Sequence, residues 1–206
     1  MKYNKKSQSD VLNLGRSMVE MLGVLAIIGV LSAGALKGYS AAMFRHKVNQ
    51  TVDIFQGVLQ RLMELDQQNL GDDFSITTSQ KMIDYGLLQS CQEVEGITYD
   101  YTSGCKLPIG SLEMDISIYD PYLAGVLWVN FTDAKSCIAF SSVGWEKALP
   151  VDWGNPAGRI NISGTGTGNT YDYLLNDTID MSKLSEACNR LCAKGECAFE
   201  LIIREY

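Results

Sequence analysis

The chain has 206 residues, of which 46% are hydrophobic and 20% charged, so its composition is that of a globular protein and excludes wholesale disorder. Lys and Arg number 17 against 24 Asp and Glu, and the resulting net charge of −7 argues against a protein that binds nucleic acid by neutralising phosphates. A single histidine, His46, argues against a Ser-His-Asp triad or a histidine-rich metal site, and we predict no catalytic residues and no enzyme activity.

The N-terminal region combines a polar leader with an apolar segment. Residues 1–15 carry three lysines and one aspartate, which is typical of a leader rather than of a folded element. Residues 21–36 contain no charge. A helix of that length is slightly short for a bilayer core of ~30 Å, but extension back through Met18 and forward past Lys37 makes spanning feasible.

Glu20 stands at the start of the apolar segment, four residues after Arg16. A carboxylate inside the hydrocarbon costs at least ~2.5 kcal/mol unless it is paired. Two interpretations follow from the sequence. The carboxylate is hydrated at the interface, or it pairs with a cation from another chain.

Gly15 followed by RSMVEMLGVLAIIGVLSAG resembles the N-terminal signature of type IV prepilins and type II secretion pseudopilins. In that family a prepilin peptidase cuts after the glycine and methylates the new N-terminal residue. The resemblance implies cleavage between Gly15 and Arg16 and N-methylation of Arg16. It also implies assembly roles for Glu20, which would pair with the α-amino group of an adjacent subunit, and for the helix glycine Gly29.

The resemblance divides the chain into a leader at 1–15, a transmembrane and assembly helix at 16–40, and a globular pilin-like head at 41–206. It implies a single-pass protein of the bacterial inner membrane that later joins a pilus at the cell surface or a periplasmic pseudopilus. The implied partners are identical or related pilin subunits, the prepilin peptidase, the inner-membrane assembly machinery, and the membrane before assembly. Nucleic acid is not expected as a primary ligand.

A long helix is predicted from about Ser17 to Gln68, with Gly71 and the two aspartates after it as its stop. Apolar residues recur at spacings of three and four in its second half, which predicts packing against a sheet; a coiled-coil partner is the minority interpretation. That stripe consists of Val48, Val52, Phe55, Leu59, Leu62 and Met63. His46, with a basic residue on each side, is expected to contact headgroups or a neighbouring subunit.

Beyond the long helix the periodicity changes. The segment 76–88 predicts a short helix capped near Thr78 or Ser79 and stopped at Gly86. Three strands of an antiparallel meander are predicted at 114–120, 125–131 and 136–142. A helix is predicted at 182–195 and a closing strand at 198–206. Together these elements indicate an α+β fold in which the second half of the long helix packs on an antiparallel sheet.

Residues 150–180 are predicted to form a long surface loop. Four side chains near its end could supply oxygen ligands for calcium, although they follow no recognised spacing, so we predict no cofactor. These residues are Asp172, Asn176, Asp177 and Asp180. The tryptophans are predicted to be core or subunit-contact residues, namely Trp128, Trp145 and Trp153.

All six cysteines lie in the second half of the chain, which predicts an oxidised, exported, disulfide-bonded domain with no metal site. They are Cys91, Cys105, Cys137, Cys188, Cys192 and Cys197. Six cysteines allow ~15 pairings, and the sequence does not choose among them. Cys91 and Cys105 are the expected local pair, and Cys137 is expected to bond one of the three C-terminal cysteines.

Many pilins have a C-terminal region bounded by a disulfide, and the resemblance implies that Cys137 and Cys197 frame it here. Cys188 and Cys192 would then remain. Because these two lie on one face of a predicted helix, a direct bond between them is less expected than a bond from either to Cys197 or Cys137.

The predicted function is therefore that of a structural subunit of a type IV pilus, in adhesion, motility, DNA uptake or secretion. A type II secretion pseudopilin is the alternative; the cysteines and the long predicted loop favour the pilus. A more remote alternative is an exported soluble binding protein, in which residues 21–36 form a conventional signal sequence cleaved near 32–35. Glu20 and the continuing amphipathic helix argue against it.

Overall fold

The computed structural model describes the backbone of residues 8–68, 74–95, 103–119, 122–145, 159–164, 167–174, 179–195 and 197–203. The contacts within the chain divide it into two units, Met1–His46 and Lys47–Tyr206. Helix α1 (Gln8–Asp66) contributes to both units, and side chains along it are described from Met18 onward.

Helix α1 begins at Gln8, so the prediction that residues 1–15 hold no folded element is wrong for the part of the leader that the structure describes. No proline occurs before Pro108, and adding residues to an existing helix avoids the cost of nucleation. The helix ends at Asp66, two residues before the predicted end. The predicted stop signal, residues 71–73, lies outside the described residues.

The rest of the described chain forms short helices and an antiparallel sheet, which confirms the predicted α+β class. The helices are α2 (Ser79–Asp84), α3 (Ala134–Ser141) and α4 (Met181–Cys192). The strands are β1 (Ser75–Ile76), β2 (Glu93–Glu95), β3 (Ser103–Lys106), β4 (Ser111–Tyr119), β5 (Tyr122–Phe131), β6 (Arg159–Gly164), β7 (Thr167–Leu174) and β8 (Cys197–Ile203).

The sheet has the strand order β2-β3-β4-β5-β8-β6-β7, with β1 paired to β4. Every one of these pairings is antiparallel. The last strand of the chain, β8, therefore lies between β5 and β6 and joins the meander to the β6–β7 hairpin. Its central position explains why its sequence, CAFELII, is largely apolar and buried.

The second half of α1 packs on one face of this sheet, as the apolar stripe predicted. Phe55 is fully buried and meets three other aromatic rings edge to face: Phe140 at 5.5 Å, Trp145 at 5.1 Å and Phe199 of β8 at 5.9 Å between centroids. Burial of aromatic rings in this geometry contributes more than the area term alone. This cluster, Phe55, Phe140, Trp145 and Phe199, is the aromatic core of the second unit.

The predicted third strand of the meander, at 136–142, is wrong because this segment forms α3. Asp133 caps the helix: its two carboxylate oxygens accept from the backbone N of Ser136 at 2.8 Å and from the Ser136 hydroxyl at 2.7 Å. The buried positions Cys137, Phe140 and Ser141 follow helical spacing rather than alternation. The segment 132–135, between two of the predicted strands, contains the start of this helix.

The predicted long loop at 150–180 is also wrong within the described residues, since it contains β6 and β7. Ile160 and Ile162 alternate with polar residues and are buried on the same face as Phe199 and Leu201, their neighbours in β8. The glycine-threonine run at 164–168 covers the end of β6 and the start of β7, where Gly164 pairs with Thr167.

The short helices agree with the capping signals in the sequence. Thr78 caps α2 by accepting from the backbone N of Lys81 at 3.3 Å, and Gly86 follows the helix at a φ of 70°. Helix α4 ends at Cys192, within the predicted range, and β8 starts one residue before the predicted closing strand.

Trp128 and Trp145 are buried, while Trp153 lies outside the described residues.

We predict that Phe55→Ala destabilises the protein by about 3–5 kcal/mol, because the substitution leaves a cavity between α1 and three rings that cannot all move inward. Thermal unfolding of the full chain in mild detergent, followed by near-UV circular dichroism, measures the loss. Asp53→Ala, at an exposed position on the same helix, is the matched control and should change stability by less than about 0.5 kcal/mol. Equal effects of the two substitutions would contradict the assignment of Phe55 to the core.

Candidate functional site

The first candidate site is the apolar surface of α1. Among the described residues, this is the one helix long and apolar enough to cross a membrane, by length and composition. Its large apolar side chains are exposed on every side of the helix, from Met18 and Val19, each 70% exposed, to Leu36 at 69%. A contiguous apolar surface of this extent requires hydrocarbon or another apolar surface around it. A signal sequence meets the same criterion of length and composition.

The structure places the predicted assembly residues along this surface. Glu20 is exposed on α1. Around Gly29 a Cβ atom would find no other atom within 4 Å, so the position is open to a close approach by another helix. The predicted cleavage site, Gly15 and Arg16, lies on the helical backbone of α1 where side chains are not described. His46 and its two basic neighbours are exposed.

A second candidate site is formed by the cysteines, all of which are paired. Cys91 bonds Cys105, as predicted for the local pair. Cys137 bonds Cys188 across a separation of 51 residues, and the remaining pair, Cys192 and Cys197, is separated by 5 residues.

The pairing of Cys137 with Cys197, which the resemblance implied, is therefore wrong. Cys137 lies on α3, and α3 packs against α4, which brings Cys188 to it. Cys192 is the last residue of α4 and Cys197 the first of β8, so the short connection between them places these two sulfurs together.

Among the oxygen donors considered for calcium, Asp180 is the one whose side chain the structure describes. Asp172 is a β7 residue by its backbone. Asp180 caps α4 and accepts from the backbone N of Ser182 at 3.0 Å and of Lys183 at 3.2 Å. Asn176 and Asp177 lie outside the described residues.

A row of polar residues across the sheet was missed by the sequence analysis. Glu113, Trp128, Glu200 and Asn161 are cross-strand neighbours on β4, β5, β8 and β6, on the face opposite the aromatic core. Glu200 accepts from the indole N–H of Trp128 and from Nδ2 of Asn161, each at 3.1 Å. Glu113 is fully buried and accepts from Nδ2 of Asn130 at 2.7 Å. Buried carboxylates need such donors, so this row fixes strand register.

The polar row could not be predicted from the sequence because the sequence does not show the register between β6 and β8. Because cross-strand neighbours share a face, the row becomes visible only when Asn161 is known to lie opposite Glu200. The alternation of Ile160 and Ile162 was the one available signal for a strand at this place.

A groove of about 700 Å³ lies beside the connection between β3 and β4. Its lining mixes apolar residues such as Leu107 and Phe131 with polar ones such as Lys106 and Asn130. The hydroxyl oxygen of Ser111, which also lines the groove, is buried without a hydrogen-bond partner. The groove is open, and its two titratable lining residues, Glu95 and Lys106, are both exposed.

A hydrogen-bonded latch joins α2 to the edge of the sheet. The Ser79 hydroxyl donates to Glu93 at 2.7 Å, and the Ser103 hydroxyl donates to that of Ser79 at 3.0 Å. The Ser79 hydroxyl, followed by that of Ser103, holds the pKa of Glu93 below its usual value because both favour the charged carboxylate. The charged Glu93 carboxylate therefore stabilises the fold at pH values above its unfolded-state pKa. This stabilisation is lost as the pH falls through the lower pKa that Glu93 has in the folded state.

We predict that Ser79→Ala raises the pKa of Glu93 toward the usual glutamate value, because the substitution removes the larger of the two hydrogen-bond effects. Carboxyl-carbon NMR titration of the full chain in detergent measures this pKa. Glu95→Gln, at an exposed position on the same strand, is the control and should leave the titration of Glu93 unchanged. An unchanged pKa in the Ser79 variant would contradict the latch.

Comparison with protein-family models, with curated proteins and with solved structures finds no match to this chain.

Proposed function

We propose that this protein is a type IV pilin-like filament subunit, cut after Gly15 by a prepilin peptidase and polymerised through the first half of α1. The observation that carries the proposal is one continuous helix with two different surfaces. From Met18 to Leu36 the apolar residues are exposed all round, whereas from Val48 to Leu65 a buried stripe packs on the sheet. The first surface is suited to a membrane before assembly and to neighbouring helices after it.

The chemistry of the helix start supports the same proposal. Cleavage after Gly15 would create an α-amino group on Arg16, four residues before Glu20. In a bundle of apolar helices an unpaired carboxylate is costly, and a cation from the adjacent chain removes that cost. The pair would therefore set the axial register between subunits more than it would add net stability.

Charge is distributed in a way that fits a subunit with an exposed acidic head. Removal of the leader takes away three lysines and one aspartate, which leaves 14 basic and 23 acidic residues and a net charge of −9. The segment from Met21 to Val52 contains no acidic residue but holds Lys37 and the basic residues around His46. A basic segment next to an apolar span favours a position at a lipid headgroup layer.

Two related interpretations compete with a pilus subunit. A type II secretion pseudopilin would use the same helix. Strands β6 and β7 occupy part of the segment between Cys137 and Cys188, so the cysteines and not a long loop favour the pilus. An exported soluble protein cut near Ser32 would keep Leu36 and Tyr39, 69% and 66% exposed, at its new N-terminus, which disfavours that interpretation.

The first experiment is the intact mass of the protein from its native membrane. We expect a chain that begins at Arg16, with or without one added methyl group. Gly15→Val should remain full length, because the peptidase cuts after glycine, whereas the control Gly23→Val should be processed as the wild type is. A chain that begins between residues 33 and 36 would overturn the proposal in favour of a conventional signal peptide.

The second prediction concerns Glu20→Ala, which should abolish filaments because the α-amino group of the neighbouring subunit then has no buried counter-charge. Filaments sheared from cells and counted by electron microscopy provide the measurement, and an unchanged disulfide map shows that the head still folds. The control is Glu64→Ala on the same helix, which removes only a surface ion pair to Arg61 at 2.7 Å. Filaments of normal number from the Glu20 variant would contradict the pairing.

A further inference from the structure

We propose that Cys192 is the site at which an external dithiol or disulfide exchanges with the protein, and that the buried Cys137–Cys188 bridge opens and forms by relay through Cys197. This inference does not depend on the filament proposal. It rests on the geometry and the accessibility of four sulfurs in the second unit.

The geometry brings the sulfurs of two separate bridges into one group. The Sγ atoms of Cys137, Cys192 and Cys197 all lie within 4.8 Å of one another. One of the three belongs to the Cys137–Cys188 bridge and two belong to the Cys192–Cys197 bridge. A thiolate released at Cys197 therefore starts within 4.8 Å of the sulfur of Cys137, the atom that it attacks in the relay.

Accessibility decides where an external reagent can begin. Cys137 and Cys188 are fully buried, and Cys197 is 1% exposed. Cys192 is half-buried at the end of α4, and the next three residues, 193–195, are exposed. Of these four cysteines, Cys192 is thus the one most exposed to a reagent from solution, whereas the Cys137–Cys188 bridge is buried.

The reductive direction uses four exchanges. An external thiolate attacks Sγ of Cys192, forms a mixed disulfide there and releases the thiolate of Cys197. That thiolate attacks Sγ of Cys137, which forms a Cys137–Cys197 bond and releases the thiolate of Cys188. The second thiol of the external dithiol then closes its own disulfide and frees Cys192 as a thiolate. Cys192 finally attacks Cys197 and releases Cys137.

The sum of these exchanges is a two-electron transfer. The external dithiol becomes a disulfide, Cys137 and Cys188 become a dithiol, and the Cys192–Cys197 bridge is restored. The reverse sequence, driven by an external disulfide, oxidises the buried pair while the fold stays closed. The Cys137–Cys197 bond is the intermediate in both directions, and it is a pairing that the closed fold can reach without moving its helices apart.

Timed reduction of the oxidised full chain in detergent by dithiothreitol tests the relay. Samples are quenched with acid, alkylated and mapped by peptide mass spectrometry. We expect a Cys137–Cys197 linked peptide to appear before the free Cys137 and Cys188 thiols. Absence of this peptide at every time point would overturn the relay.

A double variant, Cys192→Ser with Cys197→Ser, removes the relay and keeps the buried bridge. We expect the Cys137–Cys188 bridge to open at least about tenfold more slowly than in the wild type. Loss of a bridge can only loosen the fold, so opening by unfolding would become faster, which is the opposite result. A rate equal to or above that of the wild type overturns the proposal. The control, Cys91→Ser with Cys105→Ser, lacks the distant bridge and should keep the wild-type rate.

The single variant Cys188→Ser provides a test that needs no reductant. Cys137 is then left as a thiol beside an intact Cys192–Cys197 bridge. We expect exchange to produce a Cys137–Cys197 bond and a thiol at Cys192 that iodoacetamide labels in the folded protein. If the label and the bond map instead show Cys137 as the only free thiol, the sulfurs do not exchange and the relay is excluded.

Discussion

The constraint on which the rest of this protein depends is that a single helix must satisfy two environments. The first half of α1 exposes apolar side chains on every side, so it has no single apolar face, and it is long and apolar enough to cross a membrane. The second half restricts its apolar residues to a stripe that the sheet covers. If α1 shifted along its axis by one turn relative to the sheet, part of the apolar stripe would become exposed or polar residues of the helix would become buried.

The second unit is held where α1, α3, α4 and β8 come together. The aromatic core joins α1 to α3 and β8 through Phe55, Phe140 and Phe199, and the Cys137–Cys188 bridge joins α3 to α4. Packing and covalent linkage therefore act on the same elements. Because β8 is central in the sheet, the Cys192–Cys197 bridge also fixes the end of α4 to the middle of the fold. This arrangement restrains the C-terminal elements in the unfolded as well as in the folded chain.

The sequence predicted what depends on local signals. The long helix, its stripe, the Thr78 cap, the three strands β4, β5 and β8, and the Cys91–Cys105 bridge all follow from periodicity, capping residues or short separation. The sequence did not predict α3, because SCIAFS is rich in residues that suit either state and the decision rests on the Asp133 cap. It did not predict β6, β7 or the polar row, because these depend on the register with β8, about 40 residues away. The expectation that Cys137 bonds one of the C-terminal cysteines is confirmed, but the choice of Cys188 follows from the packing of α3 on α4, which the sequence did not show.

The order in which the C-terminal bridges can form follows from their separations. Closing a loop of 51 residues costs about 2 kcal/mol more in chain entropy than closing one of 5, so the Cys192–Cys197 bridge is favoured before the fold is complete. Once α3 packs on α4, the Cys137 and Cys188 thiols are buried and an external oxidant no longer reaches them. The Cys192–Cys197 bridge lies next to Cys137, and its Cys192 end stays half-buried. Through it the Cys137 and Cys188 thiols can still be oxidised after folding has buried them. That property allows packing to come first and covalent linkage to follow.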